Sequence, residues 1–233
     1  MTTGADMTRD GMRLAATVLL LRDGRDGLET LMMRRPKRGS FADAWVWPGG
    51  AVEASDGGAV NHEHPAAERQ ITSAAAVREL REETGLRVEA NALHPYALWS
   101  PPQHSMPKFR TWFYIATEYC GTPRPQLSEV AELAWVRPDE MLAAHERAER
   151  TLIVPTWVTL WQLMQLGSSE AVLTHVANTP FEHYETRQVA EQRCYWFGDS
   201  QWQIDELGTA SRPAARHRLE TGERPWRYIR DFE

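Results

Sequence analysis

The feature that most constrains the fold of this chain is a short segment in which glutamates recur at helical spacing. Residues 76–86 read AVRELREETGL and place Glu79, Glu82 and Glu83 three and four positions apart. On an α-helix these positions share one face, where like charges destabilise the helix. A hard divalent cation between the carboxylates would relieve the repulsion, because Mg²⁺ binds carboxylate oxygens, waters and substrate phosphates. The alternative is a solvated acidic face on an ordinary helix.

A glycine turn lies upstream of this predicted helix. Residues 45–50 read WVWPGG, a short aromatic and β-branched run that ends in turn residues. A glycine pair by itself usually marks only a tight turn. A glycine turn followed by the pattern Arg-Glu-aliphatic-x-Glu-Glu-x-Gly-aliphatic on a helix is far more specific.

Together the two segments resemble the signature of the Nudix (MutT-like) hydrolases, G-x5-E-x7-R-E-U-x-E-E-x-G-U with U aliphatic. Gly50 matches the first glycine, and the second half is matched throughout by Arg78, Glu79, Leu80, Glu82, Glu83, Gly85 and Leu86. The sequence departs from the signature twice. The acidic residue after Gly50 is Asp56 rather than glutamate, and 21 residues separate it from Arg78 where the signature has seven. Such a surface insertion costs little, since loop-closure entropy grows slowly with length.

The resemblance implies an α/β Nudix fold, in which a mixed β-sheet is sandwiched between helices. It also implies hydrolysis of a phosphoanhydride bond in a nucleoside diphosphate linked to another group, written NDP-X, with Mg²⁺ or Mn²⁺ as cofactor. The expected metal ligands and catalytic residues are Glu79, Glu82 and Glu83. The carbonyl of Gly49 is a further candidate ligand, because a Gly-Gly turn lets the backbone approach a cation closely.

Other catalytic roles follow from the same resemblance. Arg78 is expected to orient the loop rather than to touch substrate, with Asp56 as its anchor; the alternative for Asp56 is an ordinary loop carboxylate. Glu129 lies six residues before Trp135, where many relatives carry a catalytic or metal-binding glutamate. Glu129 is therefore the candidate general base and Glu132 a weaker one, the alternative being two solvated loop carboxylates.

Substrate choice is less constrained. The segment LMMRRPKRGSF at 31–41 and the insert within the signature resemble the Nudix branch that contains peroxisomal coenzyme A and acyl-coenzyme A diphosphatases. Arg34, Arg35 and Arg38 are the candidate substrate-binding residues, suited to extra phosphates such as the 3′-phosphate of coenzyme A. A solvated basic loop is the alternative. Coenzyme A derivatives rank first, ahead of ADP-ribose, NADH and other NDP-X compounds.

Two further functions are compatible with the same fold. One is a catalytically silent module that binds a nucleotide as a sensor, and the other is an isomerase. The intact glutamates argue against the silent module, because it has no need to tolerate their repulsion. The complete second half of the signature favours hydrolysis over isomerisation.

Charge and cysteine content narrow the function classes. A net charge of −6 argues against a nucleic-acid binder that relies on a basic surface. Cys120 and Cys194 are the only cysteines and indicate no disulfide framework. The N-terminal region is charged and lacks a long apolar run, which predicts neither a signal peptide nor a membrane span. We expect a cytoplasmic protein with a small nucleotide-derived substrate; a homodimer is an analogy with the family.

The predicted elements divide the chain in two. Residues 1–168 fit a Nudix hydrolase domain, with the insert at about 57–70. Its predicted elements are a hairpin over 14–34, strands at 45–47, 93–99, 109–117 and 133–136, and helices at 65–84, from 138 and at 155–166. Residues 169–233 are predicted to form a β-rich extension packed on the core or on a dimer partner. Its strands are expected at 174–178, 192–197, 201–204 and 226–229.

Overall fold

The computed structural model describes residues 11–39, 41–57, 65–106, 108–189, 192–202 and 215–231. In the first part of the chain the strands are β1 (Arg13–Gly24), β2 (Gly27–Arg34), β3 (Trp45–Val46), β4 (Gly49–Ala51), β5 (His94–Ser100), β6 (Phe109–Ala116) and β7 (Glu132–Val136). The helices are α1 (Pro65–Thr84), α2 (Pro138–Glu146), α3 (Val154–Leu166) and α4 (Ser169–Asn178). The later strands are β8 (Glu182–Glu185), β9 (Arg187–Val189), β10 (Arg193–Tyr195), β11 (Arg216–Glu220) and β12 (Arg227–Asp231).

Strand β1 organises the central sheet. Along residues 13–20 it pairs in parallel with β6, and residues 21–24 pair with β2 in an antiparallel hairpin. The short strand β4 pairs antiparallel with residues 15–17. Residues 14–21 are buried without a break. This continuous burial is expected for a strand that is covered on both faces, and it explains the unbroken apolar run in the sequence.

Helices cover both faces of this sheet. On one face α1 packs Ile71, Ala75 and Leu80 against alternate residues of β1. On the other face α3 places Trp157 and Leu160 in a second buried cluster. Full burial of each large apolar side chain stabilises the fold by about 1.5–3 kcal/mol. The predicted mixed sheet between helices is therefore confirmed. No helix in the described part of the chain is long and apolar enough to cross a membrane.

The core elements occur where the sequence predicts them. Helix α1 ends at Thr84, and Gly85 follows with φ of 73°. The Gly85 amide donates to the carbonyl of Arg81 at 2.9 Å, which satisfies a terminal carbonyl of the helix. The strands predicted at 93–99, 109–117 and 133–136 are β5, β6 and β7, with bounds within one residue.

One predicted strand of the extension is wrong. Residues 174–178 form the second half of α4 rather than a strand. The Ser168 hydroxyl caps this helix by accepting a hydrogen bond from the amide of Ala171 at 3.2 Å. Val172 and Val176 lie one turn apart and pack on the core. The five-residue window was too short to reveal that helical period.

The extension joins the core sheet before it forms a sheet of its own. Strand β8 pairs in parallel with β5. Strands β9 to β12 form a separate antiparallel sheet in the order β12-β11-β10-β9. β10 and β12 fall within or beside the strands expected at 192–197 and 226–229, whereas residues 201–202 form a turn and 203–204 lie outside the described ranges. In this structure the extension packs on the core of its own chain.

A buried ion pair holds the extension sheet together. Asp199 is fully buried and accepts hydrogen bonds from Nε and Nη2 of Arg218, each at 2.7 Å. It also accepts from the backbone amides of Gln201 and His217, each at 2.8 Å. Burial by itself raises the pKa of Asp199, but these donors outweigh it and lower the pKa below the usual value. The carboxylate thus joins the turn after β10 to β11.

We expect Asp199→Ala to lower the free energy of unfolding by about 3–5 kcal/mol, because it leaves the Arg218 charge buried without its partner. Urea unfolding at neutral pH measures this loss. A lowered folded-state pKa stabilises the protein above the unfolded pKa of about 3.9, and that contribution is lost as the pH falls. Wild type and variant should therefore converge in acid.

The exposed pair between Arg147 and Glu149, joined at 2.9 Å, provides the matched control. Because solvent screens such a pair, Glu149→Ala should leave the unfolding midpoint almost unchanged. Equal destabilisation by the two variants would contradict the role given to Asp199.

Candidate active site

The glutamate face of α1 lies against strand β4. Glu83 is 3% exposed, and its Oε2 accepts a hydrogen bond from the Gly49 amide at 2.8 Å. The side chains of Glu79 and Glu82 are 13% and 48% exposed. The predicted common face is therefore present, and it runs from a buried carboxylate next to the glycine turn to a half-exposed one.

Arg78 links the two halves of the signature. Its Nε and Nη2 donate to the two oxygens of Asp56 at 2.9 and 2.8 Å, and Nη2 also donates to the carbonyl of Ala51 at 3.0 Å. Its Nη1 donates to Glu79 at 2.8 Å and to Glu82 at 3.2 Å. The prediction that Asp56 anchors Arg78 is confirmed, despite the insert between them.

The two glycines of the turn occupy positions where a β-carbon would overlap a neighbouring group. A β-carbon on Gly49 would lie 2.3 Å from the carbonyl oxygen of Ala16 in β1. A β-carbon on Gly50 would lie 2.3 Å from Oε1 of Glu79. Both distances are shorter than real contacts allow. The glycines therefore let β4 pack between β1 and α1, and they bring the backbone up to the carboxylates.

The carboxylates suit a hard cation chemically, although they do not yet surround one. Their oxygens are the donors that Mg²⁺ and Mn²⁺ prefer. In the described part of the chain, no three or more acidic, histidine or cysteine side chains are arranged to hold a metal ion. The guanidinium of Arg78 instead bonds to Glu79 and Glu82. Each of these two carboxylates keeps a second oxygen that takes no hydrogen bond from Arg78 and can face a cation.

Burial and repulsion both act on the Glu83 carboxyl. Its pKa is raised to about 8, with burial as the largest cause and the charges of Glu79 and Glu129 acting in the same direction. The hydrogen bond from Gly49 and the charge of Arg35 oppose this rise. Burial also raises the pKa of Glu79. The repulsion inferred from the glutamate spacing is thus present in the folded chain, and a bound cation would relieve it.

The two candidate bases before β7 have different surroundings. Glu132 begins β7 and accepts a hydrogen bond from Nε of Arg34 at 3.2 Å, so it has a partner in the fold. Glu129 is exposed, yet it is near enough for its charge to raise the pKa of Glu83. Gln126 in the same loop donates its amide to the Glu83 carbonyl at 3.0 Å. The loop is thereby tied to the end of α1, which keeps Glu129 as the candidate base.

The structure separates the three arginines that were considered as substrate-binding residues. Arg34 donates to Asp43 at 2.8 Å and to Glu132 at 3.2 Å. Arg38 is exposed at the surface. Arg35 lines a cleft beside the glycine turn, and its buried Nε has no hydrogen-bond partner among the described residues. Arg35 is therefore the arginine best placed to meet a ligand.

That cleft has a volume of about 700 Å³ and opens beside Gly49 and Gly50. Most of its lining is apolar, and its aromatic side chains are Phe41, Trp47, Trp99, Phe109 and Phe113. The extension contributes Thr186 and Cys194. The sequence does not predict that these two residues line the cleft, because no local pattern indicates a contact between segments so far apart along the chain.

Comparison with known proteins agrees with the geometry. Residues 11–156, more than half of the chain, match the family model of the NUDIX domain. A NUDIX hydrolase from Alicyclobacillus acidocaldarius shares the fold with a TM-score of 0.60 and 21% sequence identity, over 75% of this chain and 99% of that one. At this identity the likeness establishes the fold alone. No curated protein matches the chain.

Two other solved structures are similar at lower scores. The MutT NUDIX hydrolase from Burkholderia pseudomallei has a TM-score of 0.47 and 22% identity, over 65% of this chain and 97% of that one. The NUDIX domain of Shewanella oneidensis NrtR, solved with ADP ribose, has a TM-score of 0.49 and 16% identity, over 71% of this chain and 98% of that one.

We expect the metal-free protein to lose stability as the pH rises, because burial raises the pKa of Glu83 from 4.5 to about 8. A carboxyl with a raised folded-state pKa binds its proton more tightly in the folded state. Its contribution to the free energy of unfolding is therefore fully present below the unfolded-state pKa, and it is lost as the pH rises through the folded-state pKa. Relative to wild type, Glu83→Gln should therefore gain on the order of 4 kcal/mol between pH 5 and 9. Urea unfolding with a chelator present measures this difference.

The control for this prediction is Glu82→Gln, on the same helix face but half exposed. This variant removes a solvent-exposed carboxylate and leaves the buried Glu83 carboxyl in place. Its free energy of unfolding should therefore change with pH as that of wild type does. If both variants show the same pH dependence as wild type, burial of the Glu83 carboxylate does not destabilise the folded protein as predicted.

Proposed function

Since this chain belongs to the Nudix hydrolase family, which acts on acid anhydrides, we propose that it cleaves the diphosphate of an NDP-X compound with Mg²⁺ or Mn²⁺ as cofactor. The observation that carries this proposal is the complete glutamate face of α1, packed against a glycine strand. The Gly49 amide and the Arg78 guanidinium hold that face in place. A module without catalytic function has no need for this buried repulsion, which disfavours a nucleotide sensor.

We propose that Glu79, Glu82 and Glu83 hold the cation, together with the carbonyl of Gly49. When bound, the ion neutralises the diphosphate charge and acidifies a water molecule. The Gly49 amide positions Glu83 through the hydrogen bond at 2.8 Å. Arg78 keeps the loop and the helix together through its bonds to Asp56 and Ala51, and its bonds to Glu79 and Glu82 orient these carboxylates.

Glu129 is the proposed general base. Its loop is tied to α1 by the Gln126 amide, and its charge acts on Glu83. An exposed carboxylate at that position can accept a proton from the attacking water and pass it to solvent. Glu132 is less suited to this role, because it is paired with Arg34.

Coenzyme A or an acyl-coenzyme A is the substrate we propose first. Arg35 offers a positive charge and an unpartnered buried nitrogen to a phosphate group, and the cleft beside it offers apolar surface to the remainder of the substrate. ADP-ribose or NADH is the alternative. The sugar hydroxyls of these compounds require polar partners, whereas most of the cleft lining is apolar.

We expect Glu82→Gln and Glu83→Gln each to lower kcat by more than about 100-fold, since even the outer partners of a metal site contribute about 10–100-fold. Circular dichroism should show that both variants fold. Glu89→Gln, which changes an exposed glutamate just beyond α1, should retain wild-type turnover. Full activity in both helix variants would overturn the metal-site assignment.

The assay incubates the protein with Mg²⁺ or Mn²⁺ and with coenzyme A, acyl-coenzyme A, NADH or ADP-ribose, and products are separated by chromatography. Release of 3′,5′-ADP and a phosphopantetheine product supports the coenzyme A assignment. Cleavage of another compound supports NDP-X hydrolysis and refutes that assignment. Nucleotide binding without cleavage of any compound would favour the sensor.

A second pair of variants tests the arginine assignment. We expect Arg35→Ala to raise KM about tenfold or more with a smaller effect on kcat, because it removes a charged hydrogen-bond donor from the substrate site. Arg38→Ala removes a neighbouring exposed charge and should change KM little. Equal effects from both variants would indicate a general attraction of the basic loop rather than a contact with Arg35.

A further inference from the structure

The far wall of the cleft comes from a part of the chain that lies outside the family match. Thr186 and Cys194 line the cleft, whereas the NUDIX match ends at residue 156. The Thr186 amide donates to the carbonyl of Ser100 at 3.0 Å and so fixes this wall to the end of β5. A segment that follows the matched domain therefore forms part of this cleft.

The extension also fixes a cleft residue of the core. Trp99 on β5 stacks on Tyr184 of β8, with ring centroids 4.0 Å apart and planes at 8°. Trp196 meets the same indole edge-on at 5.7 Å. The ring is thus held between two aromatic side chains of the extension. Its Nε1 is buried and makes no hydrogen bond to the described residues, which leaves one polar atom beside this wall unsatisfied.

The hydroxyl groups that line the cleft are partly engaged within the fold. The Thr186 hydroxyl accepts a hydrogen bond from Nε1 of Trp196 at 3.0 Å, and the Ser100 hydroxyl bonds with His183 at 2.8 Å. Arg35, the one charged lining residue in the described part of the chain, lies at the glycine turn, where the diphosphate is expected. Most of the lining is apolar, so an apolar group gains by leaving water there, whereas a hydroxyl-rich group has to find partners among the few remaining hydroxyls.

Apolar side chains also remain exposed along the cleft. Met106 is 84% exposed and Phe41 is 48% exposed, and both line it. Scattered exposed apolar residues are common, but two that border one apolar concavity mark a binding surface. With Arg35 at the other end, the cleft suits a molecule that is anionic at one end and apolar at the other.

We propose that this cleft binds an apolar acyl or alkyl chain of X, and that the C-terminal extension sets the chain length that the enzyme accepts. The proposal rests on the proposed function, because the diphosphate is assigned to the glutamate face. It extends that function by giving the extension a role in substrate selection. The carbonyl that joins such a chain to the rest of X provides an acceptor for the indole of Trp99.

The first test measures binding without catalysis. Coenzyme A and its acetyl, hexanoyl and dodecanoyl thioesters are titrated into metal-free protein, and the intrinsic tryptophan fluorescence is followed. Affinity should rise about tenfold for every two methylenes that enter the cleft, until the wall is reached. Equal affinity for acetyl- and dodecanoyl-coenzyme A would overturn the proposal.

The second test changes the wall and the mouth. Cys194→Leu adds volume to the wall and should reduce affinity for dodecanoyl-coenzyme A about tenfold or more while leaving acetyl-coenzyme A unchanged. Met106→Ser, at an exposed position that tolerates the change, should weaken the long chain only. Phe197→Ser is the control, because Phe197 is an exposed side chain of the extension that does not line the cleft. Thermal unfolding checks that each variant is folded.

The outcomes separate this proposal from the proposed hydrolysis. NDP-X cleavage with a KM independent of chain length keeps the hydrolase and rejects the chain site. A second outcome is that affinity depends on chain length, that Cys194→Leu reduces the longest chain bound tightly, and that no compound is cleaved. This outcome supports the chain site and rejects the hydrolase. If Cys194→Leu and Met106→Ser weaken all the ligands equally, the extension does not select chain length.

Discussion

The contact on which the site depends most is the pairing of Arg78 with Asp56. It joins the loop after β4 to the middle of α1 through two charge-assisted hydrogen bonds, and a third bond reaches the carbonyl of Ala51. The 21 residues between the two partners impose no fixed distance by themselves. Pairing with β1 holds β4 in the sheet, and the guanidinium adds the contact that ties the loop after β4 to the helix. The hydrogen bond from Gly49 to Glu83 is a second link between β4 and the helix.

The same arginine resolves a conflict in the metal-free protein. Three carboxylates on one helix face repel each other, and burial makes the repulsion stronger. Arg78 offsets part of the charge of Glu79 and Glu82 by direct hydrogen bonds, while the raised pKa of Glu83 favours its protonated form. Cation binding to Glu83 would therefore release a proton. Metal affinity and the protonation of Glu83 are consequently linked.

The sequence predicted the local features and missed the long-range ones, for physical reasons. Helix α1 and its glutamate face follow from residue spacing that is encoded locally, and the Asp56–Arg78 pair was expected from the resemblance to the Nudix signature. The three arginines near 34–38 looked equivalent, because only the fold brings Asp43 and Glu132 to Arg34 and leaves Arg35 at the cleft. Helix α4 was mistaken for a strand, since five residues are too few to distinguish the two periods.

The extension shows how a constant reaction centre can acquire a particular substrate. The glycine strand and the glutamate face are defined by backbone and carboxylate geometry that leaves little freedom for change. The far side of the cleft is different, because β8 continues the sheet beside β5 and belongs to a part of the chain outside the family match. Tyr184 and Trp196 support Trp99 from the extension, while Thr186 and Cys194 line the cleft. A strand added at the open edge of the sheet can therefore change which group X binds favourably in the cleft. It does so without moving the residues that are proposed to act on the diphosphate.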